Sequence, residues 1–233
     1  MKQLSITTDD GVCPAYEYGA GPSVLLYIDG LGMRPAMHAI GERLGAAGYR
    51  VLVPDLFWRM GAYTAPDATK VFTDPAIRAD WWTRVRGAAS SAWIMSDTRA
   101  FLDALPGPVA ITGYCMGGRM AISAAATYPD RVVAAAAYHP GGLATDADDS
   151  PHRLASQIKA RLYIGAASED PSFSDEEQAR FRASLDAAHV AYQLEVYPAK
   201  HGWVPNDTAV HDAAAAERHW QTLEAVLAST LRK

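Results

Sequence analysis

Cysteine is scarce in this chain: Cys13 and Cys115 are the only two among 233 residues, so no disulfide framework can organise the fold. Two isolated cysteines fit a reducing compartment, where both are expected as free thiols. No segment approaches the roughly 20 consecutive apolar residues that cross a bilayer, and the opening "MKQLSITTDDG" has no apolar stretch of signal-peptide length. The expectation is a cytoplasmic protein with no membrane partner. Positive charge is also thin, with 21 Lys and Arg scattered among 26 Asp and Glu for a net charge of -5. Nothing in that distribution tracks a phosphate backbone, so no nucleic-acid partner is expected. The seven histidines never fall at metal-ligand spacing with cysteine or acid, and no glycine fingerprint opens a strand-to-helix turn near the N-terminus. Neither a metal nor a dinucleotide is implied, and no cofactor is expected. Repeats, low-complexity tracts and Pro/Gly/Ser-rich linkers are missing too, which leaves 1–233 as a single domain, a monomer or small homo-oligomer.

What the chain does contain is alternation. "SVLLYID" at 23–29 is a short continuous apolar run closed by turn residues, the signature of a strand buried on both faces. "RPAMHAIGERLGAAGY" follows, with Met37, Ile40 and Leu44 on one helical face, Pro35 suited to the first turn and Gly48 to the C-terminal cap. "RVLVPDL", "PVAITGY", "RVVAAAAYH", "RLYIGAAS" and "AYQLEVYPA" repeat the strand pattern. "MGGRMAISAAATY", "SDEEQARFRASLDAAH" and "AAAAERHWQTLEAVLAST" supply helices, and the spacing of Ser174 and Glu177 marks a capping box. Strands alternating with helices imply an α/β fold with a mostly parallel sheet covered on both faces. Residues 56–95 break the pattern and read as an irregular pocket wall or cap holding Trp58, Trp81, Trp82 and Trp93 with Arg59, Arg78, Arg84 and Arg86.

Function in such sheets gathers at the carboxyl ends of the strands. The residues standing there are Asp29, Gly30, Asp55, Cys115, His139, the Glu169/Asp170 pair and His201. Gly113-Tyr114-Cys115-Met116-Gly117 fits the nucleophile elbow G-x-S-x-G with sulfur in place of the hydroxyl. The turn from strand to helix is so sharp that side chains two before and two after the nucleophile would collide, hence the glycines. At a helix N-terminus the macrodipole favours thiolate, so Cys115 reads as a nucleophile ahead of a core or redox-sensing thiol. His201, in "PAKHGW" after the last strand, stands where a general base must stand. Asp170 is preferred to Glu169 as the acid that orients it, because Pro171 sets a turn behind it and the shorter side chain is more rigidly aimed. Asp55 reads as a turn residue, His139 as a satisfied structural histidine and Cys13 as a packing residue.

"GYCMGG", "SEDP", "KHGW" and "GYRVLVPDLF" together resemble the dienelactone hydrolase family of the α/β-hydrolase superfamily, over essentially the whole chain. The resemblance implies an α/β-hydrolase fold, with Cys115 as nucleophile and Asp170 and His201 as its partners. It implies an oxyanion hole from the N–H groups of Met116 and Gly30. Family members carry a glutamate at the start of the "IDGLG" loop that holds and deprotonates the thiol; Asp29 stands there instead. Those acting on the anionic lactone clamp its carboxylate with arginines, one shortly after the catalytic histidine, and "HGWVPNDTAV" contains none. Trp58, Trp81, Trp82 and Trp203 are candidates for lining an apolar substrate pocket. The expected activity is cleavage of a neutral or apolar small-molecule ester or lactone through a thioester acyl-enzyme. The rivals are an acyltransferase or thioesterase, and a ligand-binding protein that kept the fold without turnover.

Overall fold

In the computed structural model, which describes residues 1–232, eight strands form one sheet in the order β1-β2-β4-β3-β5-β6-β7-β8. The first two, β1 (Lys2–Thr7) and β2 (Val12–Tyr18), make an antiparallel hairpin that leads the sheet, and β2 also runs antiparallel to β4 (Arg50–Pro54). From β4 onward every pairing is parallel: β3 (Ser23–Tyr27), β5 (Val109–Tyr114), β6 (Val132–Tyr138), β7 (Arg161–Ala167) and β8 (Tyr192–Tyr197). All residues of β3 and β5 are buried, as their unbroken apolar runs require.

The described residues form six α-helices. Helix α1 (Pro35–Ala46) starts on Pro35 and ends before Gly48, whose φ of 90° only glycine adopts without strain. Helices α4 (Met116–Thr127) and α6 (Ala213–Leu231) both pack on β5 and β6, so the middle of the sheet is covered twice. The alanines of β6 keep that strand thin, and a Cβ on Gly118 of α4 would already be 3.4 Å from the Cβ of Ala137. On the α6 side, Tyr114 and His219 share a buried hydrogen bond of 2.9 Å, and burial pushes the His219 imidazole down to about 3, so it remains neutral there. Helix α5 (Asp175–Ala187) begins where the capping box places it, with Ser174 Oγ accepting the Glu177 N–H.

Residues 56–95 are more ordered than their pattern suggests. They hold a turn of 3-10 helix (Trp58–Met60), helix α2 (Pro75–Ala88) and the start of α3 (Ser91–Asp103). Helix α2 buries only Trp81, Val85 and Ala88, too few residues for a helical stripe to stand out. Asp74 caps it by accepting the N–H groups of Ala76 and Ile77.

Candidate active site

Cys115 sits between β5 and α4 with φ 53° and ψ -117°, a backbone conformation costing on the order of 1–3 kcal/mol for a residue with a side chain. Its N–H is held by the carbonyl of Tyr138 on the neighbouring strand, at 3.0 Å. The elbow glycines have a measurable reason. A Cβ on Gly113 would lie 2.1 Å from the carbonyl oxygen of Gly117, and one on Gly117 would lie 2.4 Å from that of Ile28. Strand, turn and helix are therefore packed backbone to backbone, and the one side chain between them is turned outward.

His201 and Asp170 meet beside it. The two come from loops after β8 and β7, and His201 Nδ1 lies 2.6 Å from Asp170 Oδ2. The other carboxylate oxygen accepts the N–H of Ser172 at 2.9 Å and its hydroxyl at 2.6 Å. Burial alone would raise the Asp170 carboxyl, yet the His201 hydrogen bond and charge and the Ser172 donors bring it below the usual carboxylate value. Burial alone would lower His201, but the Cys115 sulfur and the Asp170 carboxylate push it up to about 10. A proton thus belongs on His201 for as long as the sulfur is negative.

Asp29 is buried in the loop that follows β3, and both of its oxygens are taken by Arg34, at 2.6 and 2.8 Å; one also accepts the Leu31 N–H. Arg34 reaches on to Asp207 in the loop after His201, at 2.7 and 3.2 Å, and so ties the two loops together. Gly30 carries the Trp82 ring against its Cα, close enough that a Cβ would meet that ring at 2.5 Å, and its carbonyl accepts the Trp81 Nε1–H. The Gly30 and Met116 N–H groups find no acceptor among the described residues, as befits a loop amide and the first amide of a helix.

Cys115, His139, His201, Asp29, Gly30 and Trp82 line one cleft of about 490 Å³, within the range of small-molecule sites. Leu31, Ala68, Phe72 and Val210 add apolar surface to its wall, and Thr69, Thr73 and Thr208 also line it. Among its described lining residues there is no lysine or arginine. Trp82 is the one tryptophan of the expected four at this wall. Trp81 lies beneath the Gly30 loop against Phe57 and Tyr63, and Trp58 donates to Asp97. Trp203 is wholly buried, stacked on Tyr197. Of the arginines in 56–95, Arg59 is held by Asp97 and Asp10, and Arg84 lies over Trp81. Ser172, Arg34, Phe72 and Val210 were not singled out from the sequence. Only Ser172 had a visible signal, two residues beyond an aspartate as in a side-chain-capped turn.

The model of the dienelactone hydrolase family matches residues 13–231. A protein of Escherichia coli (strain K12), provisionally named carboxymethylenebutenolidase, is 26% identical over 222 residues, covering 90% of this chain and 78% of that one. A counterpart of the same provisional name in Methylorubrum extorquens is 28% identical over 242 residues, covering 95% and 78%. A solved structure from Klebsiella pneumoniae, provisionally assigned as a dienelactone hydrolase, superposes with a TM-score of 0.84 at 22% identity, covering 97% of both chains.

Proposed function

Because the chain belongs to the dienelactone hydrolase family, we propose that it hydrolyses a neutral, largely apolar ester or lactone through a Cys115-His201-Asp170 triad and a thioester acyl-enzyme. The observation that carries this reading is the strained, outward-facing Cys115 in the same cleft as a His201 whose Nδ1 is bound by Asp170. With Nδ1–H donated to the carboxylate, Nε2 is the nitrogen left to serve the sulfur and the substrate.

The thiolate attacks the carbonyl carbon and a C–S bond forms as the carbonyl oxygen becomes an oxyanion. The N–H groups of Met116 and Gly30 are assigned to that oxyanion, a stabilisation typically worth a few kcal/mol per donor. Collapse expels the alkoxide, which takes the proton from His201. Acylation removes the sulfur's charge, the foremost influence holding the His201 imidazolium, so the imidazole is left neutral and ready to act as base. It then takes a proton from water as the hydroxide adds to the thioester, and the C–S bond breaks to release the acid. Asp29 stands in the place of the family's glutamate, but in this arrangement its oxygens are committed to Arg34. The proposal therefore assigns thiol deprotonation to His201, and to Asp29 the holding of the oxyanion loop. The apolar wall and the lack of a lysine or arginine among its described residues support a neutral substrate, since an unpaired anion would lose its hydration on entry.

A panel of p-nitrophenyl alkanoates and simple lactones tests the reading. The wild-type protein should release product, and mass spectrometry of quenched reactions should place the acyl group on Cys115. Turnover that survives in Cys115→Ala would overturn the triad.

A further inference from the structure

Beside the more exposed Thr69, Thr73 and Thr208, His139 is a buried polar side chain at the cleft for which the acyl-transfer steps have no task. It is 1% exposed, and neither ring nitrogen has a hydrogen-bond partner among the described residues. The other deeply buried imidazole, His219, uses Nε2 to hold Tyr114. A phenyl ring would fill the same space without burying two polar atoms unpaired, so packing alone does not account for an imidazole here.

A second observation comes from the backbone. His139 has φ 38°, in the left-handed region, and its N–H is fixed by the carbonyl of Gly165 at 2.7 Å. Cys115 is strained in the same region and is held in the same way, by the carbonyl of Tyr138 just before His139. Both residues close neighbouring strands, β5 and β6, and both line the cleft. Strain of this kind persists where the surrounding structure enforces it, and it clusters at functional sites.

The ring itself is firmly seated, edge to face with His201 at 5.3 Å between centroids and with Trp203 at 5.0 Å. Burial, with the His201 and His219 imidazoles nearby, keeps it unprotonated, and a neutral imidazole has one N–H donor and one acceptor nitrogen. Its terminal torsion is broad and roughly two-fold, so a half-turn of the ring exchanges carbon and nitrogen at the cleft edge with little change in shape.

We propose that His139 is a specificity-determining residue that hydrogen-bonds a neutral oxygen on the substrate close to the scissile carbonyl, so that the protein favours esters or lactones bearing an ether, hydroxyl or keto oxygen there over plain alkanoyl ones. This rests on the hydrolase reading above and names the substrate class within it.

The test compares p-nitrophenyl 3-methoxypropionate with p-nitrophenyl valerate, which differ by one oxygen in place of a methylene. Each kcat/KM is divided by the ester's hydroxide-catalysed rate, which removes the inductive effect of the oxygen. The wild-type protein should prefer the methoxy ester by about fivefold, the factor that one hydrogen bond of about 1 kcal/mol supplies. His139→Phe should abolish the preference. His139→Asn, which tolerates the left-handed backbone and keeps a donor and an acceptor, should retain part of it. The readout is a ratio, so a general loss of activity in either variant does not move it, and the asparagine variant decides if the phenylalanine variant fails to fold. A wild-type protein with no preference, or a preference unchanged in the variants, overturns the proposal. A wild-type protein that hydrolyses neither ester overturns the hydrolase reading itself, and this inference falls with it.

Discussion

Arg34 grips Asp29 through two nitrogens, at 2.6 and 2.8 Å, with both side chains almost wholly removed from water. Removing one member of such a pair leaves the other charge buried, typically at a cost of 3–5 kcal/mol. Asp207 remains on Arg34 and softens the loss. Asp29→Asn is thus expected to destabilise the protein by on the order of 3 kcal/mol in urea unfolding. Its kcat should fall by less than about tenfold. A loss of 10² or more at unchanged stability, the usual scale for a missing general base, would place Asp29 at the thiol proton instead.

Asp170 is set by three donors, and removing its charge should be costly. Asp170→Asn should lower kcat by roughly 10² to 10⁴, because the amide no longer selects the useful tautomer of His201. Ser172→Ala, which removes one hydroxyl at 2.6 Å from the same carboxylate, should lower kcat by less than about tenfold. Equal effects of the two substitutions in steady-state kinetics would contradict this ranking.

The two cysteines should differ sharply in reactivity. Burial, reinforced by the charges of Asp55 and Asp97, pushes the Cys13 thiol well up, and its sulfur is sealed from solvent. Iodoacetamide should therefore label Cys115 first and abolish activity with a single carbamidomethyl group per chain. Peptide mapping that finds both cysteines labelled at similar rates, with activity intact, would remove Cys115 from the covalent step.

His201 offers a titration test. Its imidazolium, favoured by the Cys115 sulfur and by Asp170 against the effect of burial, should persist in the native protein until the pH climbs to about 10. Capping Cys115 with iodoacetamide leaves a thioether that cannot carry a negative charge. The His201 resonances followed by NMR should then titrate at distinctly lower pH. An identical midpoint before and after capping would show that the sulfur does not hold the proton on the ring.

Charge on the substrate should not help. No lysine or arginine is among the cleft's described residues, and Arg34 is already met by two carboxylates. The p-nitrophenyl monoester of succinate should be no better a substrate in kcat/KM than the butyrate. A tenfold preference for the succinate would mean that Arg34 gives up Asp207 for the substrate's carboxylate.

The sheet, four of the helices and the meeting of Cys115, His201 and Asp170 were legible because each leaves a local mark. Buried parallel strands read as unbroken apolar runs, and the elbow's glycines are demanded by approaches of 2.1 and 2.4 Å within a few residues or to the adjacent strand. Asp170 and His201 were legible from their place after strands. The cleft wall was much less so. Trp203 lies two residues from His201, yet its loop turns the indole inward onto Tyr197, and nothing in "KHGW" fixes that direction. Arg34 and Asp207 meet across 173 positions of sequence, a pairing that single-sequence reading cannot see. Helix α2 was obscured because most of its residues are exposed and its two tryptophans serve the neighbouring loop.

The constraints that shape residue 115 act on backbone: its φ of 53°, the Tyr138 carbonyl on its N–H, and the glycines on either side. The mount is fixed, and the atom it carries outward is set by the side chain alone. A serine placed at 115 would inherit the same seat and the same partners, and in the proposed chemistry His201 would act on it as a neutral base. The scaffold that aims the side chain at 115 is thus indifferent to whether that side chain ends in sulfur or oxygen.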